Sequence, residues 1–339
     1  MRKRMMAALC MAAVSLVFAG CGGRAGTAAQ DSSQAGQESQ DTEEHDGSEA
    51  ADMTEDEKDQ GTQERGGSAA QESAETASEK TDNGQEEPAS AGEETAQLAG
   101  KSISILGDSI STFRGHNPEG YAVFFPDYGA VQAVEDTWWH RVVNDLELTL
   151  YQNGSNAGAT VVGDSTGMED PLCAVNELRT GALMGSEGMC PDIILVYLGT
   201  NDLLNTVPMG ENDGTVLVEE GEVETFSDAY SLMLDKLQAK YPPAEIYCCT
   251  LLPVGDYGTE TPYVDFVNGD ELTAADYSGI IVKIAETRGL GVIDLQNCGV
   301  TIENLHEMTS DGVHPTADGM VCIAEAVKKA LTKCPFAER

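Results

Sequence analysis

A serine, a histidine and an aspartate stand in short motifs whose residue types suit acyl transfer. Ser109 ends a Gly-Asp-Ser tripeptide and can supply a hydroxyl nucleophile. Asp311 precedes His314 by three residues in a turn-forming Asp-Gly sequence, so its carboxylate can hydrogen-bond the imidazole Nδ1 and orient the ring. These three residues predict covalent catalysis in which His314 activates the hydroxyl of Ser109.

Two further motifs contain donors for the negative charge that such a reaction develops. Asn201, in the sequence Gly-Thr-Asn-Asp, has a side-chain amide, and the loop 153–158 contains glycines whose backbone N–H groups can approach a ligand closely. Each motif alone has a structural alternative, because Gly-Asp-Ser, Asn-Asp and Asp-Gly are also turn formers and helix caps. Their presence together favours a serine hydrolase.

The other four histidines give no sign of a metal site. None of them has a matching acid at a suitable place, and no pair among them has metal-ligand spacing; they are His45, His116, His140 and His306. Acyl transfer through a serine needs only water as the second substrate. We therefore expect neither a metal nor an organic cofactor.

Five short apolar runs predict the strands that position these motifs. The predicted strands span residues 102–106, 146–152, 193–198, 246–252 and 292–295. Strands that alternate with helices form a parallel sheet covered on both faces, which is an α/β fold. Ligands bind beyond the carboxyl ends of such strands, and the motifs of Ser109 and Asn201 follow the first and third predicted strands.

Apolar residues at helical spacing predict the intervening helices. Thr137, Thr225 and Thr273 precede three of these patterns and are predicted N-caps. A last helix is predicted from about residue 316 to residue 331. Trp138 and Trp139 are adjacent, so on a helix they point about 100° apart, and we expect at least one of them to pack in the core rather than stack on a sugar.

The order of these motifs resembles that of the SGNH, or GDSL-like, hydrolases, and the resemblance extends over residues 102–331. It implies a three-layer α/β/α sandwich of the flavodoxin-like type, with a central parallel sheet of about five strands. It also implies that Ser109 is the nucleophile and that Asp311 and His314 complete a catalytic triad.

The same resemblance implies an oxyanion hole made by the backbone N–H groups of Ser109 and Gly158 and by the side chain of Asn201. The second motif of the family usually reads Ser-Gly, whereas this chain has Ala157 before Gly158. Gly154 is the competing residue, and the sequence alone leaves both glycines open.

The segments that follow the motif strands indicate the class of substrate. Residues 113–117 and 255–258 are short of aliphatic side chains, and Leu203 and Leu204 offer room for a small acyl group only. Polar groups with a few aromatic faces suit a carbohydrate. We expect an esterase that hydrolyses short acyl esters, especially acetyl esters, on carbohydrates. An acyltransferase of the same family and a non-catalytic glycan-binding surface protein are the alternatives.

The N-terminus predicts export and a lipid anchor. Residues 1–20 combine a basic start with an apolar stretch too short for a comfortable membrane span, which is typical of a signal peptide. Cys21 follows Phe-Ala-Gly and resembles the acylated cysteine of bacterial lipoproteins; an ordinary signal peptide cut near Ala19 is the alternative. The prediction is a protein anchored through Cys21 to the outer face of the bacterial cell membrane.

The composition of the chain predicts a disordered acidic linker over residues 21–100 and one folded domain over residues 101–339. Residues 22–100 carry 21 acidic and 4 basic residues and no aromatic residue, and such a segment cannot bury enough apolar surface to fold. The net charge of the whole chain, −39, argues against nucleic acids as partners. The seven cysteines of the domain show no disulfide framework, and we expect most of them in the core.

Overall fold

The computed structural model describes residues 98–166, 171–256 and 263–333. The predicted signal peptide, Cys21 and nearly all of the predicted linker lie outside these residues. Leu98 is buried in the core, and the backbone N–H of Gly100 donates to the carbonyl of Glu147 at 2.8 Å. The folded part therefore includes at least three residues before the predicted boundary at residue 101.

A parallel sheet of five strands forms the centre of the domain, which confirms the predicted fold class. Its strands are β1 (Ser102–Gly107), β2 (Thr149–Asn153), β4 (Ile193–Tyr197), β6 (Glu245–Cys249) and β7 (Gly291–Ile293). Their order in the sheet is β2-β1-β4-β6-β7, and each neighbouring pair is parallel. A separate antiparallel pair, β3 (Gly163–Asp164) with β5 (Glu222–Val223), has no counterpart in the sequence prediction.

Helices flank this sheet and complete the three-layer α/β/α sandwich. The α-helices of the described residues are α1 (Trp138–Asp145), α2 (Glu177–Thr180), α3 (Thr200–Leu204), α4 (Phe226–Lys240), α5 (Ala274–Thr287), α6 (Leu305–Met308) and α7 (Ala317–Lys333). Helix α1 packs against α7, and α4 packs against α2 and α5. No helix in the described part of the chain is both long and apolar enough to cross a membrane.

The three predicted N-caps are confirmed. The hydroxyl oxygens of Thr137 and Thr225 accept hydrogen bonds from the backbone N–H groups of His140 and Asp228, at the starts of α1 and α4. At the start of α5, the carboxylate of Asp276 accepts from the backbone N–H of Thr273 at 2.8 Å. These bonds satisfy groups that a helix start otherwise leaves without an intrahelical partner.

Both faces of the central strands are covered, so these strands are buried almost throughout. Every residue of β4 is buried, whereas the edge strand β2 is mostly half-exposed. Cys248 and Cys249 in β6 are fully buried, and burial raises the pKa of the Cys248 thiol to about 12. The six cysteines that the structure describes form no disulfide, and three of them lie in the core.

Strand boundaries differ from the prediction by up to three residues. The second strand begins at Thr149 rather than Leu146, because Leu146 still caps α1 and the next residue, Glu147, turns the chain with φ 53°. The fourth strand ends at Cys249 rather than at residue 252. In both cases buried leucines lie outside the strand, namely Leu146 and Leu148 before the second strand and Leu251 and Leu252 after the fourth. Hydrophobicity alone therefore does not mark the end of a strand.

Both tryptophans of α1 pack inside the domain. Trp138 is 0% exposed and Trp139 is 2% exposed. The indole N–H of Trp138 donates to the hydroxyl of Ser111 at 3.2 Å, on the turn that follows β1. Neither ring has a free face for a sugar, and Trp138 instead supports the turn of Ser109.

The topology of the sheet creates a crevice at one edge. The chain leaves β1 to form β2 on one side, and it leaves β4 to form β6 on the other side. At such a switch point the connections diverge, and a ligand can enter between the carboxyl ends of the two strands. The motifs of Ser109 and Asn201 follow β1 and β4, so both lie at this crevice.

Candidate active site

Ser109 lies on a tight turn directly after β1. Asp108 caps the short 3-10 helix Ser109–Ser111, and its carboxylate accepts a hydrogen bond from the backbone N–H of Ile110 at 3.0 Å. Glycine at position 107 leaves room for the neighbouring side chains, because a Cβ there would lie 2.7 Å from the Oγ of Ser155. The turn projects the Ser109 hydroxyl beyond the sheet, and the residue keeps 7% of its surface exposed.

The three side chains that the sequence singles out form one chain of hydrogen bonds. His314 Nε2 lies 2.9 Å from Ser109 Oγ, and His314 Nδ1 lies 2.7 Å from Asp311 Oδ2. The second carboxylate oxygen of Asp311 accepts from the backbone N–H of His314 at 2.8 Å. With Nδ1 held by a carboxylate, Nε2 is the nitrogen available to take the serine proton.

The loop that carries His314 is fixed from several sides. The backbone N–H of Ser310 donates to the carbonyl of His314 at 2.8 Å, and the N–H of Gly255, beyond β6, donates to the carbonyl of Gly312 at the same distance. Gly312 has φ +89° and would place a Cβ 3.3 Å from the Gly255 carbonyl oxygen. A side chain at this position is therefore disfavoured by both backbone conformation and space.

The electrostatics of Asp311 suit a carboxylate that stays ionised. Burial pushes the pKa of Asp311 upward, but the hydrogen bond and charge interaction with His314, together with two backbone N–H donors, outweigh it and hold the pKa below its usual value. An ionised Asp311 stabilises the imidazolium that forms when His314 takes a proton.

Three groups on the motif loops have hydrogens available for an oxyanion. The backbone N–H groups of Ser109 and Gly158 make no hydrogen bond to any described residue. Asn201, in α3, donates one amide hydrogen to the carbonyl of Ala159 at 2.9 Å and keeps a second one. The competing Gly154 is engaged, because its N–H donates to the carbonyl of Ile105 at 2.8 Å.

Two buried aspartates hold the motif loops. Asp202 accepts hydrogen bonds from the backbone N–H of Val161 at 2.9 and 3.0 Å and thereby ties α3 to the chain beyond Gly158. Burial raises the pKa of Asp202 to about 7, although these backbone donors act in the opposite direction. Burial likewise raises the pKa of Asp108 to about 6, against the lowering effects of Ile110 N–H, His314 and Arg179.

The raised pKa of Asp202 predicts a pH-dependent stability. At pH values between the usual aspartate pKa and about 7, Asp202 is protonated in the folded protein but ionised in the unfolded chain. The free energy of unfolding therefore falls as the pH rises through this range. Asp202→Asn should flatten this dependence by up to about 1.4 kcal/mol per pH unit, the value of one proton. Urea unfolding between pH 4.5 and 7.5 measures it. The exposed Glu119→Gln is the control for lost charge, and parallel profiles for wild type and Asp202→Asn would contradict the prediction.

The sequence patterns give no sign of a buried arginine that connects the nucleophile turn with the loop 153–158. Arg179, in α2, is 1% exposed, and its guanidinium donates to the carbonyls of Gly107 at 2.9 Å and Gly154 at 3.0 Å. A third bond, at 2.7 Å, reaches the carbonyl of Pro171. The guanidinium of Arg179 thus holds Gly107, at the start of the nucleophile turn, against the loop 153–158. Its sequence context is that of an ordinary helical surface arginine and gives no signal.

A second missed residue is Phe124. Its ring stacks on the imidazole of His314, with ring centroids 3.5 Å apart and an angle of 7° between the planes. Phe125 meets the same imidazole edge-on at 6.3 Å. These rings restrict the rotation of His314 and leave its Nε2 directed at Ser109. Neither phenylalanine belongs to a periodic pattern, so the sequence offers no signal for this contact.

The described residues contain no group of three or more His, Cys, Asp or Glu side chains that could hold a metal ion. What the arrangement offers is a hydroxyl, a base held by a carboxylate, and N–H donors on the motif loops that make no hydrogen bond to the described residues.

The sequence profile of the GDSL-like lipase/acylhydrolase family matches residues 101–256, which include the motifs of Ser109, Gly158 and Asn201. This part of the chain is similar to the GDSL-like family. The matched range ends before Asp311 and His314, so the position of these two residues rests on the structure. None of the curated proteins matches the chain.

Solved structures described as GDSL-like lipases are similar to this chain. One, from Bacteroides uniformis, is 26% identical, with 69% of this chain and 97% of that chain covered and a TM-score of 0.50. Another, from Bacteroides ovatus, is 25% identical, with 70% and 100% covered and a TM-score of 0.49. A protein from Lactobacillus plantarum has the same fold at 19% identity, with 70% and 100% covered and a TM-score of 0.53.

Proposed function

We propose that this protein is a serine esterase of the GDSL-like family, in which Ser109, His314 and Asp311 act as a catalytic triad. The observation that carries the proposal is the continuous pair of hydrogen bonds from Asp311 through His314 to Ser109 Oγ, at 2.7 and 2.9 Å. This geometry satisfies the requirement that a nucleophile touch its base and that the base touch an orienting group.

The reaction proceeds in two acyl-transfer steps. His314 Nε2 takes the proton of Ser109 as Oγ attacks the ester carbonyl carbon, and the imidazolium then gives that proton to the leaving alcohol oxygen as the C–O bond breaks. In the second step His314 takes a proton from water, whose oxygen attacks the acyl-enzyme. The carboxylic acid leaves, and Ser109 regains its proton.

Negative charge develops twice on the carbonyl oxygen, once in each step. The backbone N–H groups of Ser109 and Gly158 and the amide of Asn201 stabilise it, because they have hydrogens to donate in the resting protein. No organic cofactor or metal takes part in this mechanism.

The surroundings of the site support a short acyl group on a carbohydrate. Leu203 is fully buried, so only the half-buried Leu204 remains of the apolar pair beside Asn201. Arg114 and His116, on the segment after the nucleophile turn, are exposed and polar. A long acyl chain needs an extended apolar trench, and these residues do not provide one.

A chain-length series tests this substrate class. Among p-nitrophenyl esters, kcat/KM should not rise from the acetate to the eight-carbon ester, because each added methylene finds water rather than an apolar wall and so adds no binding energy. Acetate release from acetylated xylan and acetylated glucose should be measured beside it. A preference for long chains together with no acetate release from any glycan would replace the proposal by a lipase-like function.

The location of the protein is a further part of the proposal: Cys21 is acylated and anchors the chain to the outer face of the cell membrane. Cys21→Ser should move most of the protein from the membrane fraction to the medium, because the anchor has lost its attachment sulfur. Cys10→Ser, within the apolar stretch of the same leader, is the matched control and should stay with the membrane. Retention of the Cys21 variant on membranes would contradict the lipid anchor.

A further inference from the structure

An exposed aromatic residue lies beside the candidate base and has no part in the mechanism above. Tyr128 is 61% exposed, and its ring lies 5.6 Å from that of Phe124, at an angle of 40°. Phe124 in turn stacks on His314. The three rings form a row that runs from the imidazole outward, and Tyr128 is its solvent-exposed end.

The segment that carries this row, residues 121–129, has no regular secondary structure but is held by many hydrogen bonds. The backbone N–H of Phe124 donates to the hydroxyl of Thr112, and the N–H of Arg114 donates to the carbonyl of Phe125, both at 2.9 Å. Within the segment, Tyr128 N–H donates to the carbonyl of Phe124 at 2.9 Å. Tyr128 is therefore placed by the same turn that places Ser109.

Gly129 joins this segment closely to the loop of His314. It has φ +70°, and a Cβ on it would lie 2.8 Å from Cε1 of Phe124 and 3.3 Å from the Oγ of Ser310. The turn after Tyr128 therefore fits between the stacked ring and the loop 310–314 only as glycine. A fixed aromatic side chain loses little conformational freedom when it binds a ligand.

The position of Tyr128 determines which part of a substrate it meets. His314 has to reach the leaving oxygen in order to protonate it, so the leaving alcohol lies on the side of the imidazole. The acyl group, in contrast, stays on Ser109. Tyr128, which extends the row of rings away from His314, therefore faces the alcohol portion of the ester.

We propose that the exposed ring of Tyr128 is a subsite for the pyranose ring of an acetylated sugar, on the leaving-alcohol side of the reaction. This inference rests on the proposed esterase function and names the substrate part that the site recognises. A flat aromatic face covers the C–H groups of a pyranose, and nearby polar groups suit its hydroxyls: the Oγ of Ser310, close to Gly129, and the ion pair of Arg114 with Asp127.

Two acetate esters that differ only in the alcohol test the subsite, namely 6-O-acetylglucose and ethyl acetate. Tyr128→Leu keeps an apolar side chain but removes the flat ring, and it should lower kcat/KM for the sugar ester about tenfold, since remote contacts contribute to transition-state binding. Its kcat/KM for ethyl acetate should change less than about twofold. Tyr128→Phe keeps the ring and should retain the preference for the sugar ester.

Leu217→Ala is the matched control, because Leu217 is an 87% exposed apolar residue outside the row of rings. It should leave the ratio of the two kcat/KM values unchanged, and the unfolding midpoint of each variant shows whether its fold is intact. An unchanged ratio in Tyr128→Leu would overturn the subsite while leaving the esterase function in place. A wild-type protein that cleaves neither acetate would overturn the proposed function, and the subsite with it.

Discussion

Replacing Ser109 with alanine is expected to lower kcat for ester hydrolysis by about 10⁴-fold or more, the largest effect of any single substitution in the domain. Without Oγ there is no acyl-enzyme, and His314 has no hydroxyl to deprotonate. Rates on p-nitrophenyl acetate measure the loss against the uncatalysed reaction. The variant should unfold at a urea concentration close to that of the wild type, because Ser109 Oγ makes a hydrogen bond only with His314 among the described residues.

A Ser109→Ala protein that hydrolyses the ester within tenfold of the wild-type rate would move the nucleophile elsewhere. The nearby Ser111 is no substitute in the present geometry, because its hydroxyl is buried and accepts the indole N–H of Trp138. Full loss of activity with full retention of the fold is therefore the expected combination.

Asn201→Ala should give the second largest effect, a fall in kcat of about 100- to 1000-fold, which corresponds to about 2.7–4 kcal/mol of lost oxyanion stabilisation. KM should change little, because the interaction is made in the transition state rather than in the ground state. Steady-state rates on a series of p-nitrophenyl acetate concentrations separate the two parameters.

Thr200→Val is the matched control for Asn201. Thr200 is the adjacent buried residue of α3, and its hydroxyl makes no hydrogen bond to the described residues, so an isosteric valine removes no polar contact. It should retain most of the wild-type kcat. A loss of less than threefold in Asn201→Ala would instead give Asn201 only a structural role, that of holding the Ala159 carbonyl.

The fold and the order of the motifs could be predicted because they depend on local patterns. The apolar runs at 102–106 and 193–198 are central strands, and Thr137, Thr225 and Thr273 are helix caps whose hydrogen bonds span three residues at most. Residues at the carboxyl ends of parallel strands meet at one edge. Motifs far apart in sequence could therefore be assigned to one crevice from the sequence alone.

The contacts that depend on tertiary packing could not be predicted. Arg179 reads as a helical surface residue, yet its guanidinium bonds carbonyls 25 and 72 residues away. Phe124 lies in a segment without periodicity, and only the assembled loops place its ring on His314. The same holds for the second motif, where only the structure shows that Gly154 N–H is already bonded and Gly158 N–H is not.

The most direct test of the central claim, that Ser109 is the nucleophile, is reaction with a fluorophosphonate followed by mass spectrometry of the intact and digested protein. Fluorophosphonates form a covalent bond with an activated serine hydroxyl, so they report nucleophilicity without assuming a natural ester. We expect one adduct per molecule, located on the peptide that contains Ser109, and no adduct in Ser109→Ala. Equal labelling of that variant, or an adduct on another serine of the wild type, would contradict the central claim.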